Sequence, residues 1–288
     1  MADANANGGK DHQPKTIIYG IVVVFRRGPT RHTRLLCWDL RNDTLRVGQW
    51  LVGTLQLGTC GVSPNGELLV YDARKGRLHF TAVSRPPYFT ALAFWEHRSP
   101  WSGGGFFPQD NQLVTGVMHN PDKGSLPAIL DVTNVWAYFP WSGNERSTES
   151  FADAVRKAPE AHQGWRISER GLWQKLNPCH SWLRLERNGA AQGRPGAYQL
   201  DGTQPANAKT AGCDLGTLDW ADWGHDGALL FGRQGCLYRQ RMNLSLAAVF
   251  EPPFLVADLT EQRFERVLAP DEARRWPPKL TGLKRRRG

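Results

Sequence analysis

The sequence predicts an all-β fold, a β-propeller of about five to six four-stranded blades, and three kinds of internal repeat carry that expectation. The first is a strand-turn-strand unit: Ser63-Pro64-Asn65-Gly66-Glu67-Leu68-Leu69-Val70-Tyr71, then Lys75-Gly76-Arg77-Leu78-His79-Phe80. It returns as Gly224-His225-Asp226-Gly227-Ala228-Leu229-Leu230-Phe231, then Gln234-Gly235-Cys236-Leu237-Tyr238-Arg239. Asn-Gly and Asp-Gly supply the positive backbone angles that tight hairpin turns need, and the apolar runs after them read as strands. The second is Cys37-Trp38-Asp39-Leu40 with Leu45-Arg46-Val47, which overlays Val256-Ala257-Asp258-Leu259 with Phe264-Glu265-Arg266-Val267; Ile129 to Val135 is a shorter echo. The third is Pro100-Trp101-Ser102-Gly103, repeated 40 residues later as Pro140-Trp141-Ser142-Gly143. A period of about 40 residues is that of a four-stranded blade.

Taken in order, Met1 to Lys15 is rich in Ala, Asn and Gly and is expected to be disordered. Thr16 to Phe25 is a β-branched run expected to be a strand buried on both faces, and its position suggests that it completes the final blade and removes a free edge. The one stretch with helical character is Ser150 to Ala158, with Ser150 and Asp153 at near-capping spacing and Pro159 ending it, expected as a short helix inserted near 150–158. Ser181 to Glu186 alternates with period two; Asn188 to Ala211 fits a long loop broken by a short strand at Ala197 to Leu200. The expected organisation is a disordered segment over 1–15, one propeller domain over 16–276 and a basic tail over 277–288.

Charge places the basicity in that tail. The net charge is +9, but Arg274 to Gly288 holds seven basic residues and no acid, leaving +2 over residues 1–273. A solvated tail is the default for Lys284-Arg285-Arg286-Arg287; the alternative is weak, sequence-independent contact with nucleic-acid phosphates. The five cysteines are odd in number and none forms a Cys-x-x-Cys pair, which argues against a zinc ribbon or disulfide framework and for buried free thiols. The N-terminus lacks the order of a signal peptide, so a cytoplasmic protein is expected.

Motifs for catalysis, metal ligation or phosphate binding are missing: there is no His-Glu-x-x-His, Gly-x-Ser-x-Gly, phosphate loop or dinucleotide fingerprint. A non-enzyme with no cofactor, metal or catalytic residue is therefore expected. Gly103-Gly104-Gly105 has no following helix and reads as a close-approach turn. Cys179 and His180 are adjacent, and on a strand would face opposite ways. Asp219-Trp220-Ala221-Asp222-Trp223 offers two carboxylates among indoles, a combination that holds sugars, although indoles packed between blades and aspartates on turn amides is the plainer reading. Arg85-Pro86-Pro87-Tyr88 is a stiff loop bearing two residue types common at protein interfaces.

The run Ser84-Arg85-Pro86-Pro87-Tyr88-Phe89-Thr90-Ala91-Leu92-Ala93-Phe94-Trp95, with Trp101-Ser102-Gly103-Gly104-Gly105 and later Ala221-Asp222-Trp223 and Leu237-Tyr238-Arg239, resembles an uncharacterised bacterial protein family with propeller-like (WD40/TolB-like) repeats. The resemblance covers about half the chain and implies a single propeller-like domain of bacterial origin and no catalytic residue. The expectation is a non-catalytic interaction scaffold in a bacterial multicomponent system, whose partner is another protein, with Arg85, Tyr88, Trp101, Asp219, Trp220, Asp222 and Trp223 as candidate rim or channel residues. A carbohydrate-binding propeller using the Asp/Trp cluster is the alternative.

Overall fold

A computed structural model describes residues 20–28, 31–98, 103–117, 119–134, 161, 163–188, 195–202, 213–243 and 249–281. The expected helix at 150–158, both copies of Pro-Trp-Ser ahead of Gly103 and Gly143, the segment 1–15 and Lys284 to Arg287 lie outside them. The described residues are mostly β, and their strands form consecutive, mainly antiparallel sheets. The first sheet holds β1 (Ile21–Arg27), β2 (His32–Asp39) and β3 (Thr44–Val52) in that order. The second holds β4 (Thr54–Leu55), β5 (Gly61–Val62), β6 (Leu69–Lys75), β7 (Leu78–Ser84) and β8 (Ala91–His97). The third is built from β9 (Gly105–Gln109) and β10 (Gln112–Thr115); β11 (Lys123–Gly124) returns to pair with β8, and β12 (Asp131–Asn134) lies parallel to β10.

The fourth sheet is a meander of β13 (Arg166–Ile167), β14 (Trp173–Leu176), β15 (Leu183–Asn188), β16 (Gly196–Gly202) and β17 (Cys213–Leu218). The fifth joins β18 (Trp220–Trp223), β19 (Leu229–Arg233) and β20 (Cys236–Gln240) to β23 (Phe254–Asp258), with a ribbon of β21 (Met242–Asn243) and β22 (Val249–Phe250) between the last two. Among the described residues these sheets hold from three to six strands.

The sheets pack in chain order. Leu35 meets Leu69, Tyr71 and Ala82 between the first and second sheets; Val70, Val83 and Trp95 meet Leu113 and Leu130 between the second and third. Leu183, Leu185 and Leu200 meet Trp223, Leu229 and Phe231 between the fourth and fifth. Val24, Leu36 and Trp38 of the first sheet close on Leu230, Leu237 and Leu259 of the last. Each fully buried aliphatic side chain contributes about 2 kcal/mol, so these junctions hold the molecule together. This order of junctions is propeller-like; residues 135–160, which link the third and fourth sheets in the chain, lie outside the described residues.

The Asn65 and Asp226 turns have the repeated geometry the sequence predicts. Gly66 N–H donates to Ser63 O and Gly227 N–H to Gly224 O, with φ of 72° and 78° at the two glycines. The Asp39 and Asp258 pair is also real locally, each carboxylate accepting from the backbone N–H two residues on, at Arg41 and Thr260. Other expectations change. The first strand pairs with β2 in its own sheet, and the described contacts with the fifth sheet are made by side chains rather than by added strand pairing. It is not buried on both faces: among its residues Val24 alone is buried, because β2 takes the shielded central position. Asp131 belongs to a parallel strand rather than a hairpin, and Phe264 to Val267 form no strand.

Those last residues belong to an extended strap that runs from the fifth sheet back across the first, second and third. Arg26 Nε donates to Leu259 O, Arg34 pairs with Glu265, Gln49 Nε2 donates to Val267 O and Arg85 donates to Glu272 O. Trp276 Nε1 then donates to Ser125 O, and helix α1 (Pro278–Thr281) sets Leu280 into the core between the second and third sheets. Residues 277–281, expected as the start of a tail, are therefore docked.

Candidate interaction surface

The register of β2 and β3 decides what the first sheet shows to solvent. Arg34 faces Trp50 but Leu36 faces Val47, so β3 carries a bulge at Gly48 and Gln49. Facing residues share a side of the sheet, which puts Val47, Trp50 and Val52 with His32, Arg34 and Leu36. Without the bulge Val47 would point to the opposite side. Gly48 is required because a Cβ there would lie 1.8 Å from Pro87 O. Gln49 fixes the bulge: its N–H donates to Pro87 O, its Oε1 accepts from the Phe89 and Thr90 N–H groups, and its Nε2 holds the strap at Val267 O.

On this face the strap lays Phe264 against His32 and Trp50, with ring centroids at 5.0 and 6.1 Å. The Arg34 guanidinium sits 5.3 Å from the Trp50 ring centre, donates to Gly48 O and pairs with Glu265. Leu36, further along, is buried against Leu237 and Leu259, but the β3 margin is not covered: Val47, Val52, Phe264 and Leu268 are 42%, 44%, 55% and 67% exposed. The result is an apolar and aromatic margin on a well-packed sheet. His32, Trp50 and Phe264 belong to no motif in the sequence. A signal was present in Val47-Gly48-Gln49, where a glycine interrupts a strand-like run, the pattern of a bulge.

The residues the sequence did single out lie elsewhere and are largely engaged. Arg85 donates to Glu272 O at 2.8 Å, and half-buried Tyr88 follows in a turn closed by its own N–H to Arg85 O. Asp219 Oδ2 accepts from Gly235 N–H, and Asp222 pairs with Lys175 at 2.5 Å and accepts from Trp223 N–H. Trp220 packs at the junction of the fifth and first sheets, whereas Trp223 lies at the junction of the fourth and fifth and donates to Lys175 O. The two indoles thus face different junctions, and two shallow cavities, of about 230 and 180 Å³, are lined by neither indole nor by Asp219 or Asp222. Trp101 lies outside the described residues.

Two further clusters are structural in their geometry. Gly103 packs over a buried pair in which His97 Nε2 lies 3.1 Å from Asp72 Oδ1, so that a Cβ on it would sit 2.4 Å from that nitrogen, and Gly104 backs onto Thr59. Burial pushes the Asp72 carboxyl above its ordinary range, against the opposing pull of His97. Cys179 and His180 form a turn, both N–H groups donating to Asn177 Oδ1. Burial raises the thiols of Cys37 to about 11 and Cys60 to about 12, as free buried cysteines should behave, but Cys179 and Cys213 are exposed, contrary to expectation. No group of His, Cys, Asp and Glu among the described residues has the geometry of a metal site, and no described helix is long and apolar enough to cross a membrane.

No protein-family model and no curated protein matches the chain. Among solved structures it is similar to an uncharacterised protein of Listeria monocytogenes, at 8% identity and a TM-score of 0.28, covering 82% of this chain and 63% of that one. A Lactobacillus plantarum protein matches at 10% identity and a TM-score of 0.30, covering 82% of each chain. The β-propeller domain of Cps50 (Swd1) from Myceliophthora thermophila matches at 12% identity and a TM-score of 0.24, covering 82% of this chain and 72% of that one. The chain spans less than two thirds of the Listeria protein's length.

Proposed function

We propose that the protein is a non-catalytic, propeller-like interaction scaffold of a bacterial multicomponent system, working in the cytoplasm, and that its docking face is the β3 margin with the strap. The observation that carries this reading is the exposure of Val47 and Val52 on the face of Trp50, of Phe264 against that indole and of Leu268 further along the strap, on a sheet whose central strand is buried throughout its interior. A cluster of this kind, rimmed by polar residues, is costly to leave in water and is commonly a binding surface. Arg85 and Tyr88 lie on the loop that covers the β3 bulge, so they extend the same face. The proposal takes residues 16–276 and the docked helix that follows as one unit.

Its test is site-specific photo-crosslinking in the native cells, with the crosslinking residue placed at Leu268 and, as a control, at exposed Leu78 on β7. A discrete protein adduct at 268 and none at 78 is the expected result. Equal or absent crosslinking at the two positions would remove the surface from consideration.

A further inference from the structure

We infer that residues 260–268 of the strap form a lid over Trp50 and Arg34, fixed at both ends and able to lift while the sheets beneath stay folded. The two ends have contacts that the middle lacks. At one end Leu259 is buried, its N–H donates to Gly235 O and its carbonyl accepts from Arg26 Nε. At the other Ala269 is buried, Arg274 Nε donates to its carbonyl, and Ala273 N–H donates to Pro270 O. Between them no residue is buried and none lies in a strand or helix. The described contacts that hold this span to the first sheet are few. Gln49 Nε2 donates to Val267 O, Phe264 rests on His32 and Trp50, and Glu265 pairs with Arg34. The Glu265 side chain is 61% exposed, and an ion pair with one partner so open to water adds little.

Closure also carries a cost that opening relieves. Trp50 Nε1 is buried and has no hydrogen-bond partner among the described residues, and the same holds for Gln262 Oε1 on the strap. A donor and an acceptor taken from water without replacement both favour a state that rehydrates them. The indole itself has a fixed seat. It backs onto Gly28, where a Cβ would lie 2.8 Å from the ring, and the Arg34 guanidinium stays over it with Nε donating to Gly48 O. Lifting the lid therefore leaves Trp50 and Arg34 in place and changes what they show. Closed, the face presents Phe264 and Leu268; open, it presents an indole with its N–H and a guanidinium released from Glu265. Segments with few buried contacts are those that open below the global unfolding free energy. The lid is a property of the free chain and needs no docked partner.

The experiment is hydrogen–deuterium exchange of indole N–H groups, followed by NMR on the full chain at urea concentrations below the unfolding transition. Loss of one signal in Trp50→Phe assigns Trp50. The reference is Trp95, which is buried and donates to His119 O, and it also monitors that each variant stays folded. Trp50 should exchange at least about tenfold faster than Trp95 and with little dependence on urea, because lifting the lid exposes little surface. Trp95 exchange should climb steeply with urea, as global unfolding does. Glu265→Gln, which loosens one contact of the lid without uncovering the indole, should speed Trp50 about threefold and leave Trp95 unchanged. Trp50 exchange with the steep urea dependence of Trp95 would make the strap a permanent part of the fold and overturn the inference. Fast Trp50 exchange indifferent to both Glu265→Gln and Phe264→Ser would overturn it too, since water would then reach the indole by another route. Either result leaves the docking face to its own crosslinking test.

Discussion

The Asn65-Gly66 and Asp226-Gly227 turns share their sequence pattern and local hydrogen bonding, yet they are seated differently. The first receives one contact from the sheet that follows: Asp110 accepts from Asn65 N–H at 2.8 Å, while the Asn65 side chain stays within the turn, between Ser63 and Glu67. The second is gripped from both sides. Asn177 of the fourth sheet donates to Gly227 O, and Asp226 pairs with buried Arg239, which also reaches Leu40 O and Asp43 of the first sheet. A repeat dictates a turn, but the neighbours decide whether that turn is a spacer or a clasp. In this molecule the second copy ties the last sheet to the first.

Loss of the clasp should separate the two turns most clearly. Arg239→Ala leaves Asp43 and Asp226 without their common partner and should cost about 3–5 kcal/mol, read as a drop in the urea midpoint. Asp110→Ala, the corresponding change at the first turn, should cost about 1 kcal/mol. Equal losses would mean that the two turns are equivalent after all.

Glycine replacement sharpens the contrast at smaller cost. Both turn glycines have left-handed φ, so alanine is strained at either. At Gly227 the new Cβ would also meet Asn177 Oδ1 at 3.0 Å and Cys179 Cβ at 3.1 Å, whereas at Gly66 it would make ordinary contact with Ile21. Gly227→Ala should therefore lose about 2–3 kcal/mol and Gly66→Ala about 1 kcal/mol in the same denaturation assay.

Titration distinguishes the turns again. Burial alone would raise the Asp226 carboxyl, but the Arg239 guanidinium and the Ala228 N–H outweigh it and hold the group below its ordinary 3.8. A carboxyl depressed in the folded state stabilises above its unfolded value and loses that contribution as pH falls through its folded value. Unfolding followed from pH 6 down through pH 3 should thus show an acid-labile component that Asp226→Asn flattens. Asn65→Asp should not create its mirror image, since the described contacts bring no arginine to that turn. The smallest effect is on labelling: Cys179, exposed beside Gly227, should react readily with a thiol reagent in the native state, and Cys60, buried with its pKa raised to about 12, should not.

Much of the fold was legible because its determinants are local. Gly66, Gly76, Gly227 and Gly235 all adopt the positive φ that their paired positions in the repeat imply. Asp39 and Asp258 hold the same turn through the same amide contact. The site was less legible. Asp219 to Trp223 stood out for chemical types, but in the structure those groups are absorbed by Lys175, Gly235 and the sheet junctions. Conversely, His32, Trp50 and Phe264 are ordinary residues in the chain, more than 200 positions apart at the extremes, and acquire meaning because the strap crosses β3.

By itself, then, the sequence determined the hairpins, since turn chemistry and apolar alternation act within a few residues of one another and need no distant partner. It also determined that residues 1–273 are nearly neutral and lack the common catalytic motifs. The tertiary structure alone decided which sheets meet, that Phe264 to Val267 run as a strap rather than a strand, and that a bulge at Gly48 turns Val47 to the same face as Trp50. These depend on long-range packing: Pro87, Val267 and Gln49 converge at one point although no local pattern links them.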